Sequence, residues 1–240
     1  MSLNRKYTFS TTLSNNRNST NPSFYINPSI NNIESFVISS FQGVNNVYTF
    51  DSRNCNILIQ ETSQAPFTVS IPFGNYTITN LLSTLSTILT TASSTSVYTA
   101  TKNDLTNIIT ITSDTTTFVI QDTINNAYYE LGFLVNTTTP ALTQTGSNQY
   151  DLSGVKIIHL VSNDLGNDGS FLVNSNYNIL CSIPVDAPYL SPIHYQENSD
   201  LLINCKINEL SSITFHLIDE RHRMLSNLSD WSVQIITSFQ

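Results

Sequence analysis

Short apolar runs, separated by clusters of Asn, Pro, Gly and Ser, recur along this chain and restrict its fold more than any other feature. Residues 35–41 and 56–60 are apolar on both faces, whereas residues 67–71 alternate between apolar and polar side chains. Runs of this length bounded by turn-forming residues are typical of a β-sandwich or a β-barrel. We therefore expect an all-β-dominated fold, with 35–41 and 56–60 as central strands.

One segment has helical rather than strand spacing. Six apolar side chains fall on one face of a helix that begins after Thr77, a candidate N-cap. They are Ile78, Leu81, Leu82, Leu85, Ile88 and Leu89. The opposite face is mostly Ser and Thr, which are poor helix formers, so packing of the apolar stripe against a sheet must hold this helix.

Residues 66–134 are interpreted as a small α+β module inserted into a larger β domain. After the helix, short strands are predicted at 97–100, 107–112 and 117–120. The polar stretch 137–149 is expected to be an unstructured bridge back to the main domain.

The rest of the chain divides into an N-terminal arm, residues 1–20, and a discontinuous β domain, residues 21–65 and 135–240. The arm is polar and is expected to order only against a partner. Two alternating strands close the chain, joined by the charged loop 219–223. Their inward-facing side chains are predicted to be Ile213, Phe215, Leu217, Trp231, Val233 and Ile235.

Charged residues make up only 11% of the chain, and the formal net charge is −8. An extended nucleic-acid site is excluded because its affinity would come from clustered Lys and Arg. Arg5, Lys6 and Arg17 leave a local contact with nucleic acid or an acidic neighbour open, although a solvated arm is the expected state. A polar surface with few charges favours a protein whose outer faces are covered by neighbouring subunits.

No apolar run is long enough for a signal peptide or a membrane span, so we expect synthesis in the cytosol. Cys55, Cys181 and Cys205 are odd in number and far apart, which predicts free thiols and neither disulfides nor a zinc site.

Sequence motifs for catalysis are lacking. The seven glycines form no G-x-S-x-G, G-x-G-x-x-G or Walker sequence, so we expect no enzyme, no catalytic residues and no cofactor. His216, Glu220 and His222 are the tightest group of metal-ligand residue types, but a solvated loop is the expected arrangement. Residues 164–170 faintly resemble a calcium loop, yet they lack its closing Glu, and a plain loop is expected. We predict no metal site.

Two stretches resemble a known family. Residues 69–77, with the sequence VSIPFGNYT, precede the Leu-rich helix, and Leu131-Gly132-Phe133 follows it. This order resembles a module of the penton and minor capsid proteins of virophages, Polinton-like viruses and related large DNA viruses. Residues 213–220 and 230–235 are similar to the closing hairpin of the same proteins.

The resemblance implies a single jelly-roll β-sandwich, with eight strands in two sheets. It further implies a structural virion protein that stands as a homopentamer at the vertices of an icosahedral double-stranded DNA virus capsid. Trimers of the major capsid protein and other minor capsid proteins would be its neighbours, and a fibre or host receptor is a further potential partner. The alternative is a receptor- or glycan-binding β-sandwich such as a fibre head, for which a trimer or a monomer is expected.

Overall fold

The structure, a computed structural model, describes residues 3–11, 22–133, 137, 139–165, 172–173, 177–197, 202–225, 228 and 230–239. Antiparallel strands dominate it, and a 15-residue helix is its main helical element. In chain order the elements are β1 (Leu3–Ser10), β2 (Ser23–Val44), β3 (Asn56–Glu61), β4 (Phe67–Ser70), α1 (Ile78–Ala92), β5 (Tyr98–Lys102), β6 (Ile109–Ser113), β7 (Phe118–Gln121), α2 (Tyr128–Leu131), β8 (Thr143–Thr145), β9 (Ile157–Val161), β10 (Leu172–Val173), β11 (Tyr177–Pro184), β12 (Pro192–Gln196), β13 (Ile203–Thr214), β14 (His216–Asp219) and β15 (Ser232–Phe239).

The chain forms two compact units. Unit 1 comprises Met1–Val47 and Val155–Gln240, and unit 2 comprises Tyr48–Gly154. A single segment inserted between two parts of unit 1 therefore makes up the whole of unit 2.

Unit 1 contains two antiparallel sheets. In the five-stranded sheet, β15 lies between β1 and β2, and β12 and β13 pair with successive parts of β2 on its other side. The four-stranded sheet has the order β10-β11-β9-β14. The predicted strand 35–41 lies within β2, at the centre of the larger sheet, which confirms its central position.

The core of unit 1 is built around packed aromatic rings. Phe215 lies 5.7 Å from Phe9, 5.9 Å from Phe24 and 6.0 Å from Trp231 between ring centroids. All six side chains predicted to face inward near the C-terminus are buried: Ile213, Phe215, Leu217, Trp231, Val233 and Ile235. Unit 1 is a single jelly-roll β-sandwich, in agreement with the expected fold class.

The N-terminal residues differ from the expected arm. Residues 3–10 form β1 and pair with β15 along their whole length. Phe9 is buried and Tyr7 packs against the same core, so this short strand has apolar surface to bury without any partner chain. Residues 12–20 of the predicted arm lie outside the described residues.

The two closing strands do not form a hairpin. β14 pairs with β9 in the smaller sheet, whereas β15 pairs with β1 and β2 in the larger one. After Phe215 the chain passes from the larger sheet to the smaller one, because β13 pairs with β2. Alternation of buried residues was read correctly from the sequence, but it does not indicate which strand is the partner.

Unit 2 contains two three-stranded sheets, β4-β3-β7 and β5-β6-β8, together with α1 and α2. Helix α1 buries Leu81, Leu85 and Leu89 in a core shared with strands of both sheets. Thr77 is its N-cap and accepts a hydrogen bond from the backbone N–H of Asn80, as predicted.

Two segments of the first stretch that resembles a known family, residues 69–77 and 131–133, have clear structural roles in unit 2. Tyr76 donates a hydrogen bond to the Pro72 carbonyl, which fixes the turn that leads into α1. Gly132 ends α2 with a φ of 78°, and a Cβ there would collide with the Asn148 carbonyl. Only glycine suits this combination of conformation and space.

Unit 2 includes more of the chain than the predicted insertion 66–134, since it comprises Tyr48–Gly154. β3 belongs to it because this strand pairs with both β4 and β7. At the other end, β8 pairs with β6 inside the stretch 137–149, which we expected to be unstructured. The sequence pattern did not predict this strand because all its residues are polar: the exposed ones are Thr and the buried one is Gln144.

Candidate assembly and binding surfaces

The structure disperses the histidines considered as metal ligands. His216 pairs with Val161 in the smaller sheet of unit 1, and burial lowers its pKa. His222 lies in the turn after β14, where its ring centroid is 6.2 Å from that of His159. Across the described ranges, no group of three or more His, Cys, Asp and Glu residues is placed to hold a metal ion.

The predicted charged loop 219–223 is a turn organised by one buried carboxylate. Asp219 accepts hydrogen bonds from the backbone N–H groups of Arg221 and Arg223, at 2.9 and 2.8 Å. It also forms an ion pair with the Arg223 side chain at 2.8 Å. These contacts give the loop a structural role.

The candidate calcium loop 164–170 is described only at its start. The Asp164 carboxylate accepts a hydrogen bond from the backbone N–H of Thr214 at 2.6 Å. Residues 166–170 lie outside the described residues, so the loop stays a prediction.

The three cysteines are free thiols, as predicted. Cys55 and Cys205 are buried and Cys181 is partly buried. Burial raises the pKa of all three, to about 12 for Cys181 and about 11 for Cys205, so these thiols are poor nucleophiles.

Both cations of unit 2 are bound to carboxylates. Arg53 forms a buried ion pair with Asp51 at 2.8 Å, and Lys102 pairs with Asp104 on the surface. Asn54 extends the buried pair by donating a hydrogen bond to Glu130 at 2.8 Å. Since the sequence of unit 2 contains no other Lys or Arg, its surface is poorly suited to polyanions.

Unit 2 also buries a carboxylate that is held by hydroxyl groups. Glu61 is 1% exposed and accepts hydrogen bonds from Ser93, Thr95 and Tyr98 at 2.7, 2.8 and 2.9 Å. Burial opposes its charge, but the three hydroxyl donors outweigh burial, so the pKa of Glu61 lies below its usual range. The cluster fastens the end of α1 to β3 and β5.

The Glu61→Gln variant is expected to destabilise unit 2 most at neutral pH, by about 1–3 kcal/mol, because the charged acceptor is lost. Because the pKa of Glu61 is lower in the folded state, its charged carboxylate stabilises the fold at pH values above the ordinary carboxyl pKa. This contribution disappears as the pH falls through the folded-state pKa. The wild-type and variant stabilities should therefore converge in acid. Urea unfolding followed by helical ellipticity at several pH values measures this.

Asp104→Asn serves as the control, since the Asp104 side chain is 89% exposed and should change stability little at any pH. A constant difference between wild type and Glu61→Gln across the pH series would contradict the role of the buried charge.

One face of the sheet β5-β6-β8 is an array of threonines. Two rows cross the three strands in register, Thr99-Thr112-Thr143 and Thr101-Thr110-Thr145. Cross-strand hydroxyl contacts of 3.2 and 3.3 Å link β6 to β8 in these rows. The face is therefore polar but uncharged.

The five-stranded sheet of unit 1 has two chemically different edges. β1 forms one edge and exposes Arg5 and Lys6. β12 and β13 form the other, where Lys206 and Glu209 are exposed. Charged side chains on edge strands discourage uncontrolled pairing and leave specific contacts possible.

Two cavities lie beside β2 where its pairing is irregular, and we name them together the Asn32 groove because Asn32 lines both. The first part, about 590 Å³, lies among β1, Phe239 and residues 26–32. The second, about 450 Å³, lies between residues 32–35 and residues 204–208. Register shifts in the pairing of β2 with β13 flank both parts, and bulges of this kind are common beside binding sites.

Large apolar side chains are also exposed, among them Leu105 at the tip of the β5–β6 hairpin, which is 94% exposed. Tyr25 on β2 is 84% exposed and Leu190 is 65% exposed. Single exposed apolar residues are ordinary on protein surfaces and identify no partner by themselves. Within the described part of the chain, no helix combines the length and apolar character needed to cross a bilayer.

Comparison with known proteins gives a likeness in structure but not in sequence. No family model and no curated protein matches the sequence. Among solved structures, the selenomethionine-labelled mavirus penton protein is similar over 99% of this chain and 99% of its own, with a TM-score of 0.48 and 10% sequence identity.

Proposed function

We propose that this chain is a structural virion protein, the vertex (penton) subunit of an icosahedral double-stranded DNA virus capsid. The observation that carries the proposal is the architecture, a single jelly-roll sandwich interrupted by one compact α+β unit. Of the sequence segments that resemble penton and minor capsid proteins, residues 69–77 and 131–133 lie in that inserted unit, where they form the turn before α1 and the end of α2. Residues 213–220 and 230–235, the other such segments, lie in the sandwich.

The surface chemistry supports an assembling subunit. Cyclic symmetry requires a heterologous interface, in which one surface of a subunit meets a different surface of the next. The larger sheet offers two unlike edges, β1 and β12–β13, on opposite sides of the same jelly roll. We propose a homopentamer in which such unlike surfaces meet, with major capsid protein trimers and other minor capsid proteins as outer neighbours.

The function proposed is assembly and not catalysis. The buried carboxylates Asp219 and Glu61 are engaged by groups of their own units and hold a turn and a helix end in place. The thiols have raised pKa values. These arrangements suit a rigid building block of the virion.

The oligomeric mass in solution tests the proposal. Light scattering of the purified chain over a range of concentrations should give five subunits, or an equilibrium between monomer and pentamer. A stable trimer would contradict the vertex role and favour a fibre head. A monomer at every concentration would also count against it, because the proposed pentamer is held by contacts between identical chains.

A further inference from the structure

The Asn32 groove has the side chains of a ligand site for a polar molecule. Five exposed asparagines line its two parts: Asn27, Asn31, Asn32, Asn204 and Asn208. An Asn side chain offers two hydrogen-bond donors and one acceptor oxygen, so this array suits a ligand with many groups that both donate and accept. Sugar hydroxyls have that property.

Arg5 adds one positive charge at the first part of the groove. Its guanidinium lies 5.5 Å from the centroid of the Phe239 ring, a cation–π contact that restricts its position. No Asp or Glu lines this part, and no carboxylate among the described residues forms an ion pair with Arg5. A guanidinium binds a carboxylate with two parallel hydrogen bonds, which makes an acidic group the matching ligand chemistry.

The shape of the groove also favours an extended polar ligand. Each part falls within the roughly 300–1,000 Å³ of small-molecule sites, and both parts meet at Asn32. Tyr25, which is 84% exposed, directly precedes Ile26, a residue that lines the first part. Because Asn32 lines both parts, a ligand that contacts both is expected to be longer than one sugar ring, and Glu34 and Lys206 both line the second part.

We infer that the Asn32 groove binds an acidic oligosaccharide, with a sugar carboxylate on Arg5 and sugar hydroxyls on the asparagines. A peptide with acidic side chains shares the carboxylate chemistry. The amide-rich lining favours the sugar, because a peptide has fewer hydroxyl groups to match five exposed amides. This inference does not rest on the vertex role, but Arg5 on β1 and Lys206 on β13 also lie on the two sheet edges offered for subunit contacts. The groove therefore binds its ligand where a neighbouring subunit does not cover those edges.

Saturation-transfer NMR with the full chain tests the inference. The probes are the methyl glycosides of glucuronic acid, galacturonic acid and N-acetylneuraminic acid, with methyl glucoside and methyl galactoside as neutral counterparts. At least one acidic sugar should bind, and more strongly than its neutral counterpart. Arg5→Gln should weaken that binding about tenfold or more, as expected for a lost charge-assisted pair.

Lys6→Gln is the matched control, because Lys6 is the adjacent exposed cation on β1 but does not line the groove. It should leave binding unchanged, whereas Arg5→Lys should give an intermediate loss, since the charge remains without the planar fork. Asn31→Ala should weaken acidic and neutral sugars alike. Circular dichroism of each variant verifies that these exposed substitutions leave the fold intact.

Three results would overturn the inference. The first is that none of the acidic sugars binds at millimolar concentration. The second is equal binding to the wild type and Arg5→Gln. The third is binding of a capped acidic peptide through Arg5 when all the sugars fail, which would assign the groove to a protein partner.

Discussion

Replacing Phe215 by alanine is expected to lower the free energy of unfolding of unit 1 by about 3–5 kcal/mol. Phe215 is fully buried and contacts the rings of Phe9, Phe24 and Trp231. Its removal leaves a cavity and forfeits edge-to-face contacts that contribute about 0.5–1.5 kcal/mol each beyond apolar burial. The loss is large because Phe215 is fully buried among these three rings.

The single tryptophan of the chain makes this effect measurable in unit 1 alone. Trp231 is 3% exposed and stacks on Phe41 at 5.8 Å, so its fluorescence should change when unit 1 unfolds in urea. Tyr25→Ala is the control, because that side chain is 84% exposed and its loss should change stability by less than about 0.5 kcal/mol. Equal midpoints for Phe215→Ala and Tyr25→Ala would contradict the described core.

In unit 2, Leu85→Ala is expected to cost about 2–5 kcal/mol of stability. Leu85 is fully buried at the middle of α1, between Leu81 and Leu89. Because the outer positions of this helix are mostly Ser and Thr, intrinsic propensity contributes little and the buried stripe must hold the helix in place. The measurement is the urea midpoint of the helical ellipticity.

Ser83→Ala provides the matched control on the exposed face of the same helix. Alanine is the better helix former, so this change should be neutral or should stabilise the helix by up to about 0.5 kcal/mol. If Leu85→Ala were as stable as Ser83→Ala, the helix would not depend on its apolar stripe.

Local patterns in the sequence predicted the elements of the fold well. The spacing of apolar residues gave α1 and its N-cap Thr77, and alternation gave the buried faces of β13–β15. Such patterns depend on residues a few positions apart, which one sequence contains in full. They were less informative for β8, a strand in which polar residues occupy both faces.

Long-range pairing and the binding surfaces could not be read in the same way. That β14 and β15 join different sheets depends on partners far away in the chain, β9 for one and β1 for the other. The hydroxyl cluster around Glu61 and the asparagines of the Asn32 groove were missed because Ser, Thr and Asn are abundant throughout the sequence. Arg5 was noted in the sequence, but nothing there linked it to these asparagines. Only folding brings three hydroxyl donors to Glu61, and only irregular pairing of β2 gathers the asparagines.

The position of β15 sets an order of events during synthesis on the ribosome. Among the strands of the described residues, β1 is made first, yet its neighbour in the sheet, β15, is made last. The larger sheet of unit 1 therefore stays incomplete until β15 has been translated, and β1 must avoid wrong partners before then. The strands of unit 2 all lie within residues 48–154, so the inserted unit is able to fold before β15 of the sandwich has been made.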